Sequence, residues 1–121
     1  MVRSTLALAA VLSFASISLA RDLFTPPAYV GGDQEVTCKM LNITSAPIPA
    51  ELEMIQEGGT VLYDSGPITL GPSLVWGYSH AGPNDIVYCR FVNATTRKIR
   101  ADLTVYIPVY PATDTTVVPA Q

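Results

Sequence analysis

The groups able to do chemistry in this 121-residue chain are few: two thiols, two Asn-x-Thr triplets and one histidine. They recur in a pattern. Cys38-Lys39-Met40-Leu41-Asn42-Ile43-Thr44 and Cys89-Arg90-Phe91-Val92-Asn93-Ala94-Thr95 both run cysteine, base, two apolar residues, asparagine, any residue, threonine. A pair of thiols can bridge or lie apart as buried side chains. Each triplet satisfies the N-glycosylation acceptor pattern. Its asparagine, Asn42 or Asn93, can equally cap a strand end by bonding to local backbone. His80 lies in Ser79-His80-Ala81-Gly82-Pro83-Asn84-Asp85. A Ser-His-Asp hydrolase also needs a serine on a sharp turn and an oxyanion hole, and no G-x-S-x-G occurs. One histidine and scattered carboxylates lack the ligand spacing of a zinc or calcium site. There is no glycine-rich phosphate loop before a helix. The sequence therefore predicts a non-enzymatic protein with no catalytic residues, no metal and no cofactor.

The compartment decides how the thiols read. Residues 1–20 begin with Arg3, continue in an apolar run and end with Ser18 and Ala20, the features of a signal peptide cleaved after Ala20. The run is broken by serines and is short for a bilayer span, so no transmembrane segment is expected in the mature chain. Export to an extracellular or periplasmic space predicts a Cys38–Cys89 disulfide. Removing Arg3 leaves six basic residues against ten acidic, which argues against nucleic acid as a partner. Only 14% of residues are charged and 49% are hydrophobic, enough for one modest core. The expected organisation is a signal peptide (1–20), a β-domain (21–110) and a C-terminal tail (111–121).

Those groups are positioned by short alternating segments. Ile99 to Ile107 alternates apolar and mostly polar residues, a half-buried strand. Ile86 to Val92 places Val87, Cys89 and Phe91 on one face, and Glu35 to Ile43 places Val36, Cys38 and Met40 on one face. Further strands are expected at Glu51–Gln56, Val61–Asp64, Ile68–Leu70 and Leu74–Tyr78. Gly58-Gly59 supplies the positive φ of a tight hairpin. Ten prolines and eight glycines punctuate these pieces, with no helical period. The predicted fold is an all-β, antiparallel, immunoglobulin-like Greek-key β-sandwich of six to seven short strands. Its two cysteines lie on opposing sheets, with Asn42 and Asn93 at one end.

Two surfaces attract interest on this plan. A five-residue link, Asn93–Arg97, predicts a hairpin between the last two strands, with Arg90 opposite Arg100. Tyr88, Arg90, Arg97, Lys98, Arg100 and Tyr106 would then form one binding face, Arg and Tyr being favoured at recognition surfaces. Alternatively, Arg90 and Arg100 form a solvated charge ladder with Glu51 and Glu53 of a neighbouring strand. Trp76 and Tyr78 share a face of their strand. Such a pair reads first as core, with Trp76 near the disulfide; exposed, it would offer sugar rings a stacking platform.

The paired cysteines, Trp76 and Asn84-Asp85-Ile86-Val87-Tyr88-Cys89 resemble an immunoglobulin domain in architecture. Tyr88 directly precedes Cys89, and Trp76 lies far beyond Cys38, so no receptor function follows. Cys38–Asn42, Ser65–Leu70, Tyr88–Phe91 and Arg97–Arg100 resemble small secreted bacterial β-sandwich proteins of unknown function. That resemblance implies fold and export and transfers no site. The expected role is a protein-binding or surface-interaction module, possible partners being other exported or surface proteins. The alternatives are a carbohydrate-binding module and a structural envelope protein without a specific ligand.

Overall fold

The computed structural model describes residues 21–108 and 113–121, with residues 113–115 described by their backbone alone. Leu23–Phe24 (β1), Ala28–Val30 (β2), Ile48–Gln56 (β4), Val61–Asp64 (β5), Ile68–Leu70 (β6) and Asp85–Val92 (β8) form sheet 1. Glu35–Asn42 (β3), Val75–Ala81 (β7), Ile99–Ile107 (β9) and Thr113–Pro119 (β10) form sheet 2, in the order β10-β9-β3-β7. In sheet 1, β8 pairs β4 on one side and β1 and β2 on the other, while β4 also carries β5 and β6. All pairings are antiparallel. The all-β sandwich is as expected. It has ten strands because the short N-terminal pieces and the segment read as a tail, 113–119, also pair.

Period-two alternation builds the core. Val36, Cys38 and Met40 of β3 and Leu103 and Val105 of β9 face Leu52 and Met54 of β4 and Val87, Cys89 and Phe91 of β8; all are buried. The Cys38–Cys89 disulfide joins the two sheets through this layer, with a Cα–Cα distance of 5.9 Å. Gly58 and Gly59 adopt φ of 88° and 91° in the β4–β5 turn, the conformation expected of that pair. At Gly82, after β7, a Cβ would lie 1.8 Å from the Gly31 carbonyl oxygen, so only glycine fits this crossing.

One expected connection is corrected. Strands β8 and β9 do not form a hairpin; they lie in different sheets. Residues 93–98 cross between the layers, and the Thr95 carbonyl accepts hydrogen bonds from the Lys98 and Ile99 N–H groups, both at 3.0 Å. Both edges of β8 and both edges of β9 are already filled by other strands. The alternation of each strand is the same whether its neighbour in sequence is beside it or across the core, so periodicity could not separate the two arrangements.

Candidate functional site

The crossover splits the predicted basic face. Tyr88 and Arg90 project from the outer side of sheet 1, whereas Arg100 and Tyr106 project from the outer side of sheet 2, and exposed Arg97 and Lys98 lie in the link. Arg90 sits opposite Glu53, not Arg100. Its Nε and Nη2 donate to one oxygen of Asp22 at 2.9 and 2.7 Å, and its Nη1 to Glu53 at 3.2 Å. The Asn93 N–H and then Arg90 hold the Asp22 carboxyl below its usual range. Arg90 is thus engaged in tying the N-terminal segment to β8 and β4, which matches the expected Glu53 end of a charge ladder. Glu51 behaves differently: burial, then Asp64 and Glu53 nearby, push its carboxyl up. Arg100 instead pairs in register with Leu41, and its guanidinium donates to the carbonyls of Thr96 and Ile99. The Tyr106 hydroxyl donates to Glu35 at 2.6 Å.

The aromatic pair is also divided. Tyr78 lies opposite Cys38 and stacks on Tyr63 of β5, with ring centroids 3.7 Å apart and planes 3° from parallel. Trp76 lies opposite Met40 and is 38% exposed, so the expectation of a core tryptophan beside the disulfide is corrected. The cause is the position of β7 at the edge of sheet 2, where no further strand of the described residues covers its rings. Tyr78 has one ring face occupied by Tyr63, which leaves Trp76 as the open member of the pair. His80 is half-buried, and its Nδ1 meets the carbonyl of Ala81 at 2.5 Å.

The two asparagines, alike in sequence, differ in environment. Asn42 is fully buried. Its Nδ2 donates to the carbonyls of Ala46 and Leu70 at 2.8 and 3.0 Å, and its Oδ1 accepts from the Thr44 N–H and hydroxyl at 2.8 and 2.7 Å. A glycan on that nitrogen has no room in the folded domain. Asn93 is exposed, at φ 56°, a left-handed position that asparagine tolerates better than most residues. Only the second triplet is open to modification.

The structure gathers a set of residues that the sequence reading passed over. On the outer face of sheet 2, Val75, Leu41 and Arg100 form one cross-strand row, and Gly77, Lys39, Asp102 and Pro119 the next. Then come Ser79, Thr37, Thr104 and Val117. A cavity of about 680 Å³ lies over the first two rows, lined by Lys39, Leu41, Val75, Arg100, Asp102, Val117 and Pro119 and reaching Thr96, Leu23 and Ala120 at one end. Its volume falls in the range of about 300–1,000 Å³ typical of ligand clefts. The walls are apolar, with Val75 and Val117 more than half exposed. The polar groups are Arg100 and a loose Lys39–Asp102 pair at 3.8 Å, with the Thr37–Ser79 hydroxyl pair, at 2.6 Å, in the next row beyond the cavity. Gly77 has no side chain, which keeps the second row open toward β7. The signal for this face was present in the alternation of Glu35–Ile43, whose odd positions point outward, but the partner strands that complete it are distant in sequence.

Three carboxylates, Glu51, Glu53 and Asp64, bring oxygens within 4.8 Å of one another on sheet 1. Arg90 reaches the Glu53 member, and the cluster contains no histidine or buried free ligand. Among the described residues, no helix is long and apolar enough to cross a membrane.

No protein-family model and no curated protein matches the chain. Among solved structures, it is similar to a crystal structure of Thermotoga maritima 1070, with a TM-score of 0.59 and 8% identity over 84% of this chain and 93% of that one. A structure described as CBM4 is less similar, with a TM-score of 0.40, 15% identity, and 81% of this chain covering 59% of that one. The first likeness bears on the fold alone: the chain is an antiparallel β-sandwich.

Proposed function

We propose that this is an exported, non-enzymatic binding module, related to small secreted bacterial β-sandwich proteins, that takes an extended segment of a partner protein on the outer face of sheet 2. The observation that carries the reading is the groove between Val75 and Val117, with exposed apolar walls and the Lys39–Asp102 pair and Arg100 between them. Exposed apolar patches rimmed by polar groups mark interaction sites, and arginine is enriched in them. Lys39 and the Thr37 and Ser79 hydroxyls can bond to peptide groups, while the apolar walls take alternate side chains. A displayed library of extended peptides tests this directly. Selected peptides are expected to bind with Arg100→Glu weakening them at least about tenfold and leaving the melting temperature unchanged. Equal losses of binding and stability would instead make Arg100 a structural residue.

A second reading is favoured by the exposed Trp76 ring. As a carbohydrate-binding module the protein would stack a sugar on Trp76, with little help from the occupied Tyr78. A glycan array separates the two, since Trp76→Ala abolishes sugar binding and leaves peptide binding intact. Failure of both screens would support a structural envelope protein without a specific ligand.

A further inference from the structure

The backbone groups of β7 divide by parity. The Gly82 N–H donates to the Gln34 carbonyl at 2.8 Å, and the Asn42 N–H to the Leu74 carbonyl at 3.1 Å. In the antiparallel register between these two bonds, Val36–His80, Cys38–Tyr78 and Met40–Trp76 are the hydrogen-bonded pairs. The alternate residues Val75, Gly77, Ser79 and Ala81 therefore aim N–H and C=O away from β3, off the edge of the sheet. Among the described residues, the hydrogen bond found on that side is the one the Ala81 carbonyl accepts from His80 Nδ1.

Exposed strand edges are ordinarily blunted by charge, proline, a bulge or a covering segment. Val75-Trp76-Gly77-Tyr78-Ser79-His80-Ala81 contains no Lys, Arg, Asp, Glu or Pro. The other edges are protected. β5 has four residues, ends in Asp64 and slips register against β4. β10 ends in Pro119 and also slips register, and beyond it Gln121 exchanges two backbone hydrogen bonds with Phe24, at 3.1 and 3.0 Å. Among the described residues, β7 is the open edge.

We infer that β7 is a dimerisation edge, and that its occupant is β7 of a second copy, antiparallel about a two-fold axis at Tyr78. In this register Gly77 of one copy faces Ser79 of the other, and Val75 faces Ala81. These are the hydrogen-bonded pairs, and they use the outward backbone groups. Trp76 then faces His80, and Tyr78 faces itself, as the non-hydrogen-bonded pairs whose side chains approach most closely. The absence of charge points to a second copy rather than to a foreign strand. Two-fold pairing brings together edges of identical net charge, so a net charge on β7 would oppose it, whereas a foreign partner could carry the opposite sign. The outer-face residues Gly77, Ser79 and Ala81 are small and meet without crowding. The dimer would carry one eight-stranded sheet with the two grooves side by side.

Sedimentation and amide hydrogen exchange of the protein recovered from its host test this together. The expected result is a concentration-dependent monomer–dimer equilibrium in which the amides of Val75, Gly77, Ser79 and Ala81 slow as concentration rises. Ser79→Pro removes an outward N–H and no backbone bond to β3, losing on that side only the hydroxyl contact with Thr37, and is expected to raise the dimer dissociation constant at least about tenfold. Ser79→Lys, which puts a charge on the seam, does the same by repulsion and serves where the proline variant folds poorly. Thr116→Lys, at an exposed position on β10 at the opposite edge of sheet 2, leaves the dimer unchanged. A monomer persisting to about 1 mM overturns the inference, as does a dimer indifferent to both Ser79 variants or abolished by Thr116→Lys. Peptide binding to the groove is read separately, so a monomeric result would leave that reading standing.

Discussion

Asn42→Ala should be among the most damaging polar substitutions in this protein, although Asn42 belongs to a triplet that also reads as a surface modification motif. The truncation removes four hydrogen bonds. The bond to the Leu70 carbonyl is wholly buried and has no water to replace it. Each bond contributes about 0.5–1.5 kcal/mol net, and an acceptor left buried and unpaired costs about 1–3 kcal/mol. The Thr44 side of the network is less buried, and its groups recover part of their bonding through solvent. The expected loss is then about 2–4 kcal/mol. For a domain near 100 residues each kcal/mol shifts the melting temperature by about 4–8 °C, so the variant should melt about 10–25 °C lower. Asn93→Gly is the matched comparison. It preserves the bond from the backbone N–H to Asp22 and suits the positive φ, so its effect should stay within about 0.5 kcal/mol. Thermal and urea unfolding of both variants decide the matter. A loss below about 1 kcal/mol for Asn42→Ala, or equal effects at the two sites, would refute the capping role assigned to Asn42.

Replacing both Cys38 and Cys89 with alanine opens a loop with a sequence separation of 51. It should cost on the order of 4 kcal/mol, checked by urea unfolding with and without reductant. Glu51→Gln should raise stability by about 0.5 kcal/mol at neutral pH. The sign follows from its elevated folded-state carboxyl, caused first by burial and then by Asp64 and Glu53: its ionisation costs stability as pH rises, so the gain vanishes in acid. Asp22 and Asp85 carry the opposite sign. Their carboxyls are held low, Asp22 by the Asn93 N–H and Arg90 and Asp85 by Gln56 and the Ile86 N–H, so their contribution is present at neutral pH. It is lost as pH falls below the ordinary value of 3.8 through their folded values. Melting curves from pH 2 to 8 for the parent and Glu51→Gln read both effects.

The alternation around each cysteine was enough to orient Val36, Cys38, Met40, Val87, Cys89 and Phe91 inward and to place the disulfide across the core. Gly58-Gly59 likewise marked its turn without ambiguity. The partner of each strand was less legible, because period two is identical for a strand beside its sequence neighbour and one across from it. That single ambiguity, at residues 93–98, set Arg90 and Arg100 on one face when they belong to opposite faces. The edge position of β7 was hidden for the same reason, and with it the exposure of Trp76. The groove combines residues from β3, β7, β9 and β10, and only pairing over long separations brings Leu41, Val75, Arg100 and Val117 together. The contrast between Asn42 and Asn93 is also invisible locally, since it depends on the Leu70 carbonyl lying 28 residues away.

If sheet 2 presents the binding face, a bound peptide must perturb its outer residues before any on sheet 1. The most direct measurement is a two-dimensional amide NMR titration of the protein with peptides selected from an extended-peptide library. The resonances of Lys39, Leu41, Val75, Arg100 and Asp102 are expected to shift first and furthest, while Tyr88 and Arg90 on sheet 1 stay in place. Shifts centred on Tyr88 and Arg90, or a library yielding no binder while a glycan moves only Trp76, would contradict it.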